Sequence, residues 1–194
     1  MKYATEAQIE ALLNAAKDNV RDYAVLTVAY WRGLRASEVG SIRLEDYKPD
    51  EQRLFVHRAK GSQSGEYLLS PAEVKALSAW LKVRGRDPGP LFVTKRQSPV
   101  SRKLMFAMMR HYGSKAGWPR ELQHPHVLRH SIAVHLVNQG MDLLMIRDWL
   151  GHRSITSTVI YSQVTNPARD KAAMQVYAAK EKPKVRVNWK KVQK

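Results

Sequence analysis

A chain of 194 residues is long enough for one well-cored domain, and without a cysteine it holds no disulfide framework, thiolate metal site or cysteine nucleophile. Lys and Arg outnumber Asp and Glu by 33 to 17, a formal +16 that points to a polyanionic partner, nucleic acid before an acidic membrane surface. No stretch approaches the roughly 20 apolar residues of a membrane span, and the amphipathic N-terminus has no signal-peptide core, which fits a cytoplasmic protein.

In chain order, Thr5 with Gln8 reads as a capping box, and Ile9, Leu12 and Leu13 form an apolar stripe. A first helix is expected over Glu6–Ala16. A second is expected over Val20–Leu34, with Tyr23, Leu26, Thr27, Tyr30 and Trp31 at helical spacing and Gly33 near its end. Ala36–Ile42 begins a further helical turn or two. From Arg53 to Ser70, LFVH and EYLL are β-prone and KGSQSG is turn chemistry, so a hairpin with a loop longer than two residues is expected. GSQSG has Gln63 where a hydrolase nucleophile elbow carries serine, which removes that reading.

Ser70-Pro71-Ala72-Glu73 is a helix start, with the helix running to about Val83. Leu91–Val93 is a candidate short strand. Ser101 caps a helix to about Lys115, whose Leu104, Met105, Met108 and Met109 read as core. His124 to Tyr161 holds three helical pieces. Pro125 opens one that Gly140 ends, Asp142 caps a second that stops at Gly151, and Ser154 caps a third leading to Tyr161. A last helix is expected from Pro167 to Ala179, and Val185, Val187 and Trp189 alternate with basic residues as a strand would. The expected fold class is mainly α with a small antiparallel β-sheet, as an α+β catalytic domain over 1–180 and a basic tail over 181–194. From Lys180 to Lys194 seven basic residues face one acidic residue, so that stretch carries +6 and the remainder +10.

The segment from His124 to Tyr161 concentrates groups suited to phosphodiester chemistry. An arginine fork matches two phosphate oxygens, and two forks would stabilise the added charge of a pentacoordinate transition state. A lysine or histidine can protonate the leaving alkoxide, and a tyrosine can attack phosphorus covalently. His126 and Arg129 are one helical turn apart and can share a pocket, whereas His130 should diverge from Arg129. His126 and His130 also have zinc-helix spacing, but the cation between them and the missing glutamate argue against a metal. Arg35, with Glu38 three residues on to orient it, is the candidate second clamp. Lys60 sits where the hairpin enters its turn. Taken singly, each of these residues also fits an ordinary surface or core position.

Together they follow an order. GLRASEV, RAKGSQSGEYLLS, HPHVLRH and IRDWLGHRSITSTVIYSQV resemble, box by box, the tyrosine recombinase (phage integrase) family over about Thr5 to Lys180. The resemblance implies a site-specific DNA recombinase. Arg35 and Arg129 would grip the scissile phosphate. Tyr161 would attack it to give a 3′-phosphotyrosyl intermediate. Lys60 would act as general acid, His126 as base or proton relay, and His152 would hydrogen-bond the phosphate. Glu38 and His130 would support these residues from behind. No metal or other cofactor is implied. The implied partners are double-stranded DNA, further copies of the chain in a synaptic tetramer, and accessory DNA-bending proteins.

The family's N-terminal core-binding domain has no counterpart before Thr5, so the chain resembles a minimal recombinase or an isolated catalytic domain. A one-sided grip on DNA is expected, with Lys180, Lys182, Lys184, Arg186, Lys190 and Lys191 adding phosphate contacts. The same residues leave open a type IB topoisomerase-like relaxation of DNA, or a DNA-binding regulator without chemistry. Tyr112 and Tyr177 stand next in line should Tyr161 not be the nucleophile.

Overall fold

Helix α2 (Val20–Trp31) is the axis of the molecule, and every residue from Ala24 to Tyr30 is buried. Its start is capped by Asn19, whose side chain accepts from the Asp22 N–H. Around it pack α1 (Glu6–Ala16), α3 (Pro71–Arg84) and α5 (Pro125–Asn138). Helix α4 (Arg102–Lys115) lies against α1 and α5, while α6 (Leu143–Leu150) and α7 (Thr156–Ser162) pack on α5 and on each other. The structure is a computed structural model that describes residues 2–162 together with Met174 and Tyr177.

Local chemistry sets these boundaries. Thr5 with Gln8 and Ser70 with Glu73 both form complete capping boxes, satisfying backbone donors that a helix start otherwise leaves open. Ser101 and Asp142 cap α4 and α6. Met105, Met108 and Met109 are core residues. Strands β1 (Tyr47–Lys48), β2 (Arg53–Val56) and β3 (Gly65–Leu68) form one antiparallel sheet in that order, with Leu54 facing Tyr47 on one side and Tyr67 on the other. Two residues are too few to leave an alternation in the sequence, so β1 is visible only in the fold. The expected mainly helical architecture with a small antiparallel sheet is the one observed.

Three local expectations change. Helix α2 ends at Trp31 instead of Leu34, because Gly33 takes a left-handed φ of +56°. A Cβ there would stand 2.6 Å from Leu150 Cδ2, so the turn needs glycine for both conformation and space. Ala36–Ile42 yields only a 3₁₀ turn at Val39–Ser41. The Glu38 carboxylate there accepts from the Arg35 N–H at 2.9 Å and also from Arg58 and the Ala59 N–H. Leu91–Val93 is buried but makes only isolated bridges, Val93 with Pro99 and, next to it in sequence, Pro90 with Arg43. Each bridge has a proline on one side, Pro90 or Pro99, which withholds an N–H group that a ladder needs.

Met174 and Tyr177, from the expected Pro167–Ala179 helix, are helical and exposed. The rest of that helix, the strand-like Val185–Trp189 stretch and the basic residues from Lys180 to Lys191 lie outside the described residues. Among the described residues, no helix is long and apolar enough to cross a membrane.

Candidate active site

Glu38 is the hub, only 2% exposed. Its carboxylate accepts from Arg35 N at 2.9 Å, Arg35 Nη1 at 2.7 Å, Arg58 Nη1 at 3.1 Å and Ala59 N at 3.1 Å. Burial alone would raise its pKa. The Arg35 N–H, the Arg58 charge and the Ala59 N–H outweigh burial and hold the carboxyl below its ordinary range. Arg35 therefore has its guanidinium fixed from one side, with 28% of its side chain still open to solvent.

Arg58 is a site residue that sequence reasoning missed. Its Nη1 also reaches Gly33 O at 3.3 Å, and its Nη2 donates to Arg32 O and Trp149 O, both at 2.8 Å. It thus ties the end of α2, the hairpin and the end of α6 to Glu38. In sequence it is one more arginine at the edge of a β-prone run, and no spacing signal separates it from a surface cation.

Arg129 meets the same Gly33 carbonyl with Nη1 and donates from Nη2 to Leu150 O at 2.9 Å. Burial, with Arg35 and then Arg58 nearby, pushes its pKa down to about 10, so it stays protonated at neutral pH. Three guanidiniums converge around one carboxylate. Such a cluster is short of negative charge, and an incoming phosphate would supply it.

Two features bring the tyrosine to this cluster. Gly151 closes α6 in a left-handed turn at φ +68°. The turn is docked on the hairpin loop by Gln63 N to Gly151 O at 2.9 Å and by a bridge between Ser62 and His152. Helix α7 then packs against α5 and buries Tyr161 to 2% exposure. Burial raises the Tyr161 pKa, and the Arg129 and Arg35 charges oppose that rise. His152 is buried, and its Nδ1 lies 2.9 Å from Thr158 Oγ1, a partner the sequence did not reveal. Burial, then Arg129, Arg35 and Arg58, lowers its pKa to about 4.

Of His126 and His130 on α5, it is His130 that meets the tyrosine. His130, expected to diverge, has Nδ1 3.1 Å from the Tyr161 hydroxyl. His126 is exposed and stacks on His130, ring centroids 6.2 Å apart. The helix explains both facts. Residues four apart share a face, so His126 and His130 lie in line, and α7 packs on the His130 end of that line. Burial, then His126 and Arg129, pushes His130 down to about 4, while burial, His124 and Arg129 lower His126. The His130 imidazole is neutral at pH 7.

Lys60 is exposed, on the hairpin loop that docks against the Gly151–His152 turn, and makes no hydrogen bond or ion pair with a described residue. Arg35, Glu38, Arg129, His130, His152 and Tyr161 thus gather in one pocket, Lys60 stands on the docked loop, and His126 lies outermost. Tyr112 is committed elsewhere, donating to Asp22 Oδ2 at 2.8 Å. A second buried ion pair braces the pocket from beneath: Arg32 Nη2 meets Glu73 Oε2 at 2.9 Å, and its guanidinium lies 4.5 Å from the Trp149 ring centroid.

The model of the phage integrase family matches residues 2–167. The chain belongs to that family. It is 35% identical over 167 residues to the type 1 fimbriae regulatory protein FimB of Escherichia coli strain K12, covering 82% of this chain and 83% of FimB. It is 33% identical over 167 residues to tyrosine recombinase XerA of Pyrococcus horikoshii, covering 84% of this chain but only 57% of that protein. The crystal structure of XerA recombinase superposes with a TM-score of 0.80 at 29% identity, over 95% of this chain and 66% of that one. The pre-cleavage complex of XerH site-specific recombinase with its difH substrate shares the fold, at a TM-score of 0.75 and 20% identity, over 89% of this chain and 54% of that one. The fold is that of tyrosine recombinase catalytic domains, and the enzyme class is the DNA recombinases.

Proposed function

We propose that this chain cuts and rejoins double-stranded DNA at specific sites by transesterification on Tyr161. The observation that carries the reading is the placement of the Tyr161 hydroxyl beside a cluster of three guanidiniums and one carboxylate. Arg35 and Arg129 hold the non-bridging oxygens of the scissile phosphate, pre-set by the acceptors behind them, so little reorganisation remains for the transition state. Tyr161 attacks phosphorus, the P–O5′ bond breaks, and Lys60 delivers a proton to the departing 5′-oxygen. His152 donates a hydrogen bond to the phosphate from Nε2, its Nδ1 being engaged by Thr158. His126 relays protons at the solvent side. Religation reverses the steps, since the phosphotyrosyl link conserves the bond energy.

Exchange between two duplexes requires several copies of the chain, and we propose a synaptic tetramer on DNA, with accessory DNA-bending proteins shaping the site. The basic residues of the tail, Lys180 to Lys191, add phosphate contacts. The reading is tested by trapping the protein on a nicked suicide substrate. A covalent adduct is expected from the native chain and none from Tyr161→Phe. An adduct that survives that substitution assigns the nucleophile elsewhere.

A further inference from the structure

The Tyr161 hydroxyl has one imidazole within hydrogen-bonding reach among the described residues, and it is that of His130. The Nδ1 to Oη distance is 3.1 Å, and the ring centroids are 6.0 Å apart. The other imidazoles are placed for different work. His152 has its Nδ1 on Thr158, and His126 is exposed and stacked on the His130 ring. Arg129 spends two of its nitrogens on the Gly33 and Leu150 carbonyls and, being protonated, has no lone pair to offer.

We infer that His130 is the catalytic base of the reaction, taking the Tyr161 proton on Nδ1 as the hydroxyl attacks phosphorus. The inference rests on the reading above and replaces only the route of one proton. The O–H bond of Tyr161 breaks and its proton moves to Nδ1, giving an imidazolium. The Oη–P bond forms, the P–O5′ bond breaks, and the 5′-oxygen takes its proton from Lys60. On religation His130 returns the proton to the departing tyrosine.

The surroundings of His130 make this role substrate-dependent. Half-buried beside His126, Arg129 and His124, the free imidazole is neutral and a weak base. A phosphodiester bound between Arg35 and Arg129 adds negative charge next to those cations. The imidazolium is then less disfavoured, so the base strengthens when DNA is in place. In the resting protein a neutral Nδ1 can accept the tyrosine hydrogen bond and hold Oη where the Arg129 and Arg35 charges act on it.

The test follows adduct formation on the nicked suicide substrate with His130→Ala, His130→Asn and Lys60→Ala. It is repeated with a 5′-bridging phosphorothiolate, whose sulfur leaves without needing an acid. Asn retains an acceptor near the Nδ1 position but no titratable nitrogen, and it decides the matter if the Ala variant folds poorly. Both His130 variants are expected to slow about 100-fold or more, the usual worth of a positioned base, and to stay slow on the phosphorothiolate, while Lys60→Ala recovers there. Rates within about threefold of the native chain, or native rates with Asn, overturn the proposal. So does rescue of the His130 variants by sulfur, and so does faster adduct formation, which would make the contact a resting latch. Failure of the native chain itself to form an adduct overturns the functional reading instead.

Discussion

Arg58 and Glu38 form an ion pair 3.1 Å long whose two side chains are at most 1% exposed. The pair has a cost and a purpose. Two charges taken from water are stabilised only by good geometry and further hydrogen bonds, and here the Arg32, Gly33 and Trp149 carbonyls and the Arg35 and Ala59 N–H groups supply them. Arg58→Met leaves Glu38 short of a donor and the Arg32 and Trp149 carbonyls unpaired, while Gly33 O keeps its bond from Arg129. A loss of about 3–5 kcal/mol is expected, which at about 2–4 °C per kcal/mol lowers the melting temperature by roughly 10 °C. Arg58→Lys keeps the charge but not the fork, and recovers only part of it. Thermal melting of the two variants beside the native chain checks this, and an unchanged melting temperature for Arg58→Met would refute it.

Gly151→Ala is expected to damage both stability and chemistry. The residue sits at φ +68°, and a Cβ would stand 2.5 Å from Gln63 O. The left-handed conformation costs an alanine about 1–2 kcal/mol. The clash must also push apart the hairpin loop and the turn before His152, which shifts the loop that carries Lys60. Urea denaturation and suicide-substrate trapping together measure the two effects, and an active, fully stable variant contradicts the docking argument.

Lys60→Ala offers the opposite pattern. The side chain is exposed and free of ion pairs with described residues, so stability should change by no more than about 0.5 kcal/mol. Strand cleavage on an ordinary phosphodiester should fall about 100-fold or more if Lys60 is the acid. A destabilised variant with normal cleavage would reverse the assignment.

Acid should weaken the fold in a defined window. The pKa values of His152 and His130 are depressed to about 4 by burial, with Arg129 and Arg35 next for His152, and His126 and Arg129 next for His130. The unfolded chain binds protons from about pH 6.5 downward that these folded imidazoles refuse. Stability is therefore complete above pH 6.5 and declines as pH falls toward 4, by about 1.4 kcal/mol per unit for a buried group such as His152. The half-buried His130 contributes less. Urea denaturation should give a stability about 1–2 kcal/mol lower at pH 5.5 than at pH 7, a difference that His152→Asn reduces. Equal stabilities at the two pH values would rule out neutral buried imidazoles.

Removing the chain after Ala179 should weaken DNA binding and flatten its salt dependence. Each phosphate contact contributes about −0.9 to the slope of log K against log salt, so losing the six proposed contacts among the seven cations removed reduces the slope by up to about five. Affinities across a salt series check this, and identical slopes would exclude the tail from the interface.

Much of the site was legible because its parts are local. GLRASEV, HPHVLRH and the Leu-Gly-His turn each place their residues by helix starts, glycine turns and proline, and those signals act within a few residues. Capping at Thr5, Ser70 and Asp142 was read correctly for the same reason. Arg58 was not legible, since its acceptors at residues 32, 33 and 149 are adjacent only after α2, the hairpin and α6 have packed. The order of the two histidines was equally hidden. Spacing puts His126 and His130 on one face, but it does not say toward which end another helix will bring a tyrosine.

By itself the sequence determined most of the described helices, the hairpin, the family and a set of candidate groups, because periodicity, caps and motif order are properties of neighbouring residues. Only the tertiary structure decided which groups touch: Glu38 gathering two guanidiniums, Gly33 receiving two more donors, and His130 meeting Tyr161. Those contacts link residues up to 96 positions apart, and they follow from how buried faces pack, which no local pattern encodes.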